Sequence, residues 1–160
     1  MSDQADGLRR RVKAQRNLRL GLWAGAGVDG AELAARLTAA LATAAEEGGL
    51  VELLDKRQGA AAAIVATRPD PESLAAAYAA LGGEGRTGPV GLMLLAAPGY
   101  PGGPRAAAAV RATAWQFRQV RVVDLGTLPV GALADPDGAG RTVLGTAARR
   151  LCAIEWEASP

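Results

Sequence analysis

The chain has 160 residues, 49% of them hydrophobic and 21% charged, enough for one domain with a buried core and too apolar for a disordered segment. With 18 Lys and Arg against 16 Asp and Glu, the net charge of +2 is too small to call for nucleic acid or an anionic membrane as partner. Histidine is absent, Cys152 is the single cysteine and aromatics make up 4%, which excludes His-ligated metals, Ser-His-Asp and Cys-His catalysis, an intrachain disulfide and base-stacking platforms.

Residues 1–17 carry Arg9, Arg10, Arg11, Lys13 and Arg16 without an apolar h-region, and read as a basic, flexible arm rather than an export signal. Every later apolar run is cut by Gly, Pro or charge before the roughly 18 residues a membrane span needs, so a soluble, cytoplasmic protein is expected. Residues 18–24 (LRLGLWA) predict a first strand ending at Gly25-Ala26-Gly27. Leu33, Leu37 and Leu41, four apart, predict an amphipathic helix over 30–47 that stops at Gly48-Gly49. Residues 50–54 form a second apolar run, and 61–67 (AAAIVAT) a third. Pro69-Asp70-Pro71 opens a helix placed at 73–81. Residues 90–96 are continuously apolar, as in a strand buried on both faces of a parallel sheet. A Gly/Pro loop over 98–104 leads to a helix at 105–117, followed by a strand at 120–125, a long loop at 126–140 and a terminal helix at 141–154.

The order β-α-β-β-α-β-α-β-α predicts a three-layer α/β sandwich with a parallel sheet. The link between the second and third runs, roughly six residues, is too short for a parallel crossover between neighbours, which takes a dozen or more. A flavodoxin-like strand order, 2-1-3-4-5, removes the conflict, because strands two and three then flank strand one. A single domain over 18–156 follows.

Ligands of open α/β sheets sit beyond the carboxyl ends of the strands, beside strand one. Three loops converge there. The first, Gly25-Ala26-Gly27-Val28-Asp29-Gly30, is a literal G-x-G-x-x-G between strand and helix, where missing side chains admit a phosphate to the helix N-terminus. Tight strand-to-helix turns also need glycine for geometry alone, and Asp29 sets a negative charge there or caps the helix. The second loop, Thr67-Arg68-Pro69-Asp70, offers a guanidinium for a phosphate and a hydroxyl for a ring edge; its alternative is helix-start punctuation with a surface arginine. The third, Ala97-Pro98-Gly99-Tyr100-Pro101-Gly102-Gly103, offers backbone N–H groups and one aromatic face suited to a planar heterocycle, or is an inert connection.

From about residue 18 onward, and best over 89–133, the chain resembles the NAD(P)H-dependent FMN reductases, a flavodoxin-like family, in shortened form. The resemblance rests on Pro89-Val90-Gly91-Leu92-Met93-Leu94-Leu95, the loop ending Gly102-Gly103, the helix after it and Val51-Glu52-Leu53-Leu54-Asp55. It implies FMN across the three loops, with Gly25, Ala26, Gly27, Val28 and Gly30 at the phosphate. Thr67, Arg68, Pro69, Asp70, Pro98, Gly99, Tyr100, Gly102 and Gly103 would then lie by the flavin ring. It also implies hydride transfer from NAD(P)H to the flavin, reduced flavin for a partner monooxygenase, and oligomers with Tyr78, Trp115 and Phe117 as interface residues. Where the family carries Gly-Ser-x-Arg-x-x-Ser, this chain reads Gly25-Ala26-Gly27-Val28-Asp29-Gly30-Ala31, so the phosphate loop is degenerate. The helix between strands two and three is missing as well.

A second reading therefore stands beside the flavin reductase: a cofactor-less subunit that stabilises or regulates a related catalytic chain. A third is a Rossmann-type NAD(P) domain using Gly25, Gly27, Gly30 and Asp55, with Lys56 and Arg57 near a 2′-phosphate. Trp23, Trp115 and Trp156 are expected in the core or an interface, and Cys152 is expected to be a buried small hydrophobe. The pair Asp135 and Asp137, flanked by Pro136 and Gly138, reads as a turn rather than as a metal cluster with Asp124.

Overall fold

The computed structural model describes residues 19–44, 49–81, 88–97, 102–129, 131 and 139–154; the basic arm lies outside them. In chain order the elements are β1 (Arg19–Ala24), α1 (Gly30–Ala44), β2 (Leu50–Leu53), a 3₁₀ turn (Lys56–Ala61), β3 (Ile64–Thr67), α2 (Pro71–Ala80), β4 (Val90–Ala96), α3 (Gly103–Arg118), β5 (Val122–Pro129) and α4 (Ala139–Ala153). The five strands form one parallel sheet in the order β2-β1-β3-β4-β5, with Leu22 of β1 opposite Leu53 on one side and Ile64 on the other. The expected strand order holds. β1 lies between β2 and β3, and the short link passes across the end of the sheet.

Strand alternation divides the core in two. Leu20, Leu22, Ile64, Ala66, Met93 and Leu95 pack with Leu33, Leu37 and Leu41 of α1 and Leu144 and Leu151 of α4. Trp23, Val65, Leu92 and Leu94 point the other way, to Ala77 of α2 and Ala107, Val110 and Ala114 of α3. Each leucine brought fully out of water contributes about 1.5–3 kcal/mol, so the 33-37-41 stripe alone makes α1 an integral layer. On the α2/α3 face the small residues of α3 let the helix approach the sheet closely, and β4, buried at every position, is the spine of the core.

Several boundaries differ from expectation, each for a local reason. Ala61 belongs to the 3₁₀ turn and β3 starts at Ile64, where β-branched residues begin. The helix placed at 73–81 starts at Pro71, capped by Asp70, and that placed at 105–117 starts at Gly103 and runs to Arg118. The largest difference is β5, placed at 120–125 but running from Val122 to Pro129. Its register slips by one between the Leu92–Asp124 and Met93–Gly126 pairs, a β-bulge with Leu125 as the extra residue. Gly126 has φ +109°, open to glycine and costly for other residues, and its N–H donates to the Asp124 carboxylate at 2.8 Å. The bulge sends both Leu125 and Leu128 into the α1/α4 core although they are three apart. The stretch expected as a loop over 126–140 is thus strand at its start.

Trp23 is in the core, whereas Trp115 and Phe117 are 58% and 70% exposed on α3. Trp156, Asp135 and Asp137 lie outside the described residues. Cys152 is a correction: it is exposed, because its neighbour Leu151 takes the inward position on α4. Its partial desolvation pushes the thiol pKa up, away from a nucleophile's range. Among the described residues no helix is long and apolar enough to cross a membrane.

Candidate functional site

The carboxyl ends of β1, β3 and β4 open at one end of the sheet. The turn leaving β1 is tied to β3 by the Gly25 N–H, which donates to the Ala66 carbonyl at 2.9 Å, and the Val28 N–H closes the turn onto the Gly25 carbonyl at 3.2 Å. Gly27, φ +78°, makes the reversal. Ala26 and Gly27 are exposed, and their N–H groups meet no acceptor among the described residues. Gly30, at the first turn of α1, has no room for a side chain: a Cβ there would lie 2.8 Å from the Ala24 Cβ and 2.5 Å from the Leu53 Cδ1. The three glycines therefore serve different purposes, Gly27 the turn and Gly30 helix-to-strand packing, while a Cβ at Gly25 would meet nothing nearer than 3.5 Å. Asp29 is the helix cap, its carboxylate accepting the Glu32 N–H at 3.2 Å.

The second loop crosses toward the first. Arg68 is exposed, and its Cδ and Nη1 lie 3.1 Å from the position a Gly27 Cβ would occupy. A guanidinium from the end of β3 thus lies over the glycine turn at the end of β1, and no ion pair engages it among the described residues. Thr67 holds this loop in place. It is the one fully buried polar residue among those described, and its hydroxyl faces the Arg68 and Ser73 carbonyls, both at 3.1 Å. Pro69 is half-buried.

Asp70 caps α2, accepting the Ser73 N–H at 3.0 Å and the Ser73 hydroxyl at 2.8 Å. Those bonds, the backbone one foremost, hold its carboxyl below the usual carboxylate value, with the Arg68 charge a smaller contribution. A carboxylate lowered by folding stabilises the fold above its unfolded pKa and loses that contribution as pH falls toward the folded value. Acid unfolding followed by circular dichroism is therefore expected to depend less on pH in Asp70→Asn than in the native chain between roughly pH 5 and 3, while the two match at neutral pH because asparagine also caps.

In the third loop, Pro98, Gly99, Tyr100 and Pro101 lie outside the described residues. Gly102 is the N-cap of α3 and has no side-chain bond to it; Gly103 is buried, and a Cβ there would come within 2.6 Å of the Thr127 hydroxyl oxygen. Asp55, the candidate ribose acid, lies beyond β2 and accepts the Arg57 N–H of its own turn at 3.2 Å. The structure brings Gly27 and Arg68 together across 41 positions of sequence. The distance between them in the chain gave no signal of this.

Among solved structures the chain is similar to the flavodoxin of Streptococcus pneumoniae TIGR4, with a TM-score of 0.50 at 15% identity over 85% of this chain and 98% of that one. The chain has a flavodoxin-like fold. It also aligns with two-electron reduced Megasphaera elsdenii flavodoxin in solution, at a TM-score of 0.43 and 16% identity, over 82% of this chain and 99% of that one. No protein-family profile matches the chain, and no curated protein matches it in sequence.

Proposed function

We propose that the chain is a flavin-handling oxidoreductase that takes FMN at the carboxyl ends of β1, β3 and β4 and reduces it with NAD(P)H, in the manner of the FMN reductases. The observation that carries this reading is Arg68 lying over Gly27, which supplies from the second loop the cation that the first loop's sequence lacks. The donor set suits a phosphate: one guanidinium, the N–H groups of Ala26 and Gly27 and the N-terminus of α1. Bound FMN would supply the hydride acceptor, so the chain need provide no acid, base or nucleophile. Its own residues would neutralise the phosphate with Arg68, keep the loop rigid through Thr67, and admit a flat ring beside Gly102, which has no side chain to block it. Supply of reduced flavin to a monooxygenase, and an oligomeric state, belong to the same proposal.

A second reading has its own support. Asp29 puts a carboxylate on the α1 N-terminus, where a phosphate would otherwise have the dipole to itself. That favours a cofactor-less subunit paired with a catalytic relative. Visible absorbance after loading with FMN and desalting, then nicotinamide oxidation with added FMN, separates the readings. Retained flavin bands and turnover support the reductase. A colourless, inactive protein that copurifies with a second chain supports the subunit. Binding of NAD(P)H without flavin would support the dinucleotide domain built on Gly25, Gly27, Gly30 and Asp55.

A further inference from the structure

A groove of about 1130 Å³ lies at the opposite end of the sheet from the three loops, where β5 begins and where α3 and α4 end. Its walls carry Arg111 and Trp115 of α3, Arg121 and Asp124 around the start of β5, and Arg150 and Ile154 at the end of α4. β5 is an edge strand, with no neighbour beyond it among the described residues. The charge balance is one-sided. Arg111 and Arg121 have no ion pair among the described residues, and Arg150 donates to the Asp124 main-chain carbonyl rather than to a carboxylate. The Asp124 carboxylate is turned to the Gly126 N–H of the bulge. The two helix C-termini add roughly half a negative charge each, which leaves the groove positive among the described residues. Arg118 is not part of it, since its guanidinium stacks 4.5 Å from the centre of the Tyr78 ring.

The geometry points to this groove as a docking site for an acidic, extended peptide segment of a partner protein that carries an apolar side chain. Three guanidinium groups match carboxylates, and the 58% exposed Trp115 beside small Ala112 and Ala153 offers an apolar seat. On β5 the Asp124 carbonyl and the Gly126 N–H are already bonded, to Arg150 and to the Asp124 carboxylate, so side chains rather than strand pairing would hold the peptide. A peptide fits better than nucleic acid because the floor is aliphatic and one indole is too little for successive bases to stack on. Because the groove lies at the far end of the sheet, its occupation leaves the C-terminal loops open.

The test uses the full-length chain and a fluorescein-labelled peptide alternating glutamate with leucine and phenylalanine, read by anisotropy at low and physiological salt. A lysine version of the peptide and an unlabelled poly-dT oligonucleotide serve as competitors. We expect saturable binding of the acidic peptide that weakens with salt. It should fall at least tenfold in Arg121→Glu and in Trp115→Ala and stay unchanged in Gln116→Ala; all three are exposed positions where the fold should survive, which circular dichroism checks. Absence of binding, equal binding of the lysine peptide, binding indifferent to Arg121→Glu and Trp115→Ala, or displacement by poly-dT at lower concentration than by unlabelled acidic peptide would each overturn the assignment.

Discussion

Arg68→Ala is expected to weaken FMN binding by about tenfold to thirtyfold, with little change in thermal stability. Charge-assisted hydrogen bonds contribute about 1.5–3 kcal/mol each, and 1.4 kcal/mol is a factor of ten. The lower part of that range applies, because Arg68 is exposed and solvent screens its charge. Stability should hold, since the side chain fills no cavity and makes no ion pair among the described residues. Fluorescence quenching of FMN on titration measures the affinity, and Arg68→Lys should recover part of it as a point charge without the planar fork. Asp29→Asn tests the opposite sign: asparagine keeps the helix cap and removes the negative charge, so affinity should rise. If Arg68→Ala and native protein bind FMN equally well, the cation over Gly27 is not the phosphate's partner and the proposed site is wrong.

Gly30→Ala is expected to destabilise the fold by about 1–3 kcal/mol, the usual range for forcing extra volume into a packed contact. Of the two atoms its Cβ would meet, the Leu53 Cδ1 ends a flexible, half-exposed side chain that can turn away. The Ala24 Cβ at 2.8 Å cannot move without β1, so α1 has to lift from the sheet. Gly25→Ala is the comparison: with nothing nearer than 3.5 Å, its unfolding free energy from urea titration should stay within about 0.5 kcal/mol of native. The contrast assigns the glycines their roles. If Gly25→Ala proves as disruptive as Gly30→Ala, the geometric distinction drawn between them fails.

The layer architecture was legible because the leucine spacing of α1 and the unbroken apolar run of β4 each admit one reading, and the short β2–β3 link then selected the strand order. β5 was harder. Gly126 looks like a stop, and Leu125 and Leu128 are out of step with any single alternation; a bulge reconciles them, and a bulge is a property of two paired strands rather than of one. Ala61, placed in a strand, has too little side chain to declare itself, and Cys152 was assigned inward when the adjacent Leu151 held that place. In the candidate site, the glycine turn was visible but its division of labour was not, since it depends on where Ala24 and Leu53 lie. The approach of Arg68 to Gly27 comes from β1 and β3 being neighbours, with Trp23 opposite Val65 and Ala24 opposite Ala66. A glycine turn in one loop can be read from sequence; a cation supplied by another loop cannot.

The link between β2 and β3, a short kinked 3₁₀ segment, has a consequence for motion. β2 has four residues, pairs with β1 alone, and leaves Leu50 and Glu52 open to solvent. Beyond its short ladder with β1 and the Leu54 N–H bond to the Leu22 carbonyl at 2.8 Å, it is fastened by one bond from the Val51 N–H to the Thr38 hydroxyl at 3.0 Å, the exposed Arg19–Glu52 pair at 3.7 Å, and the burial of Val51. Exposed pairs of that kind contribute at most about 1 kcal/mol. β2 and the turn after it therefore form the weakest cooperative unit of the sheet. In native-state hydrogen exchange their amides should trade for deuterium through a local opening, while those of β3 and β4 wait for global unfolding. The molecule would breathe at one edge and hold rigid at the strand ends where Arg68 meets Gly27.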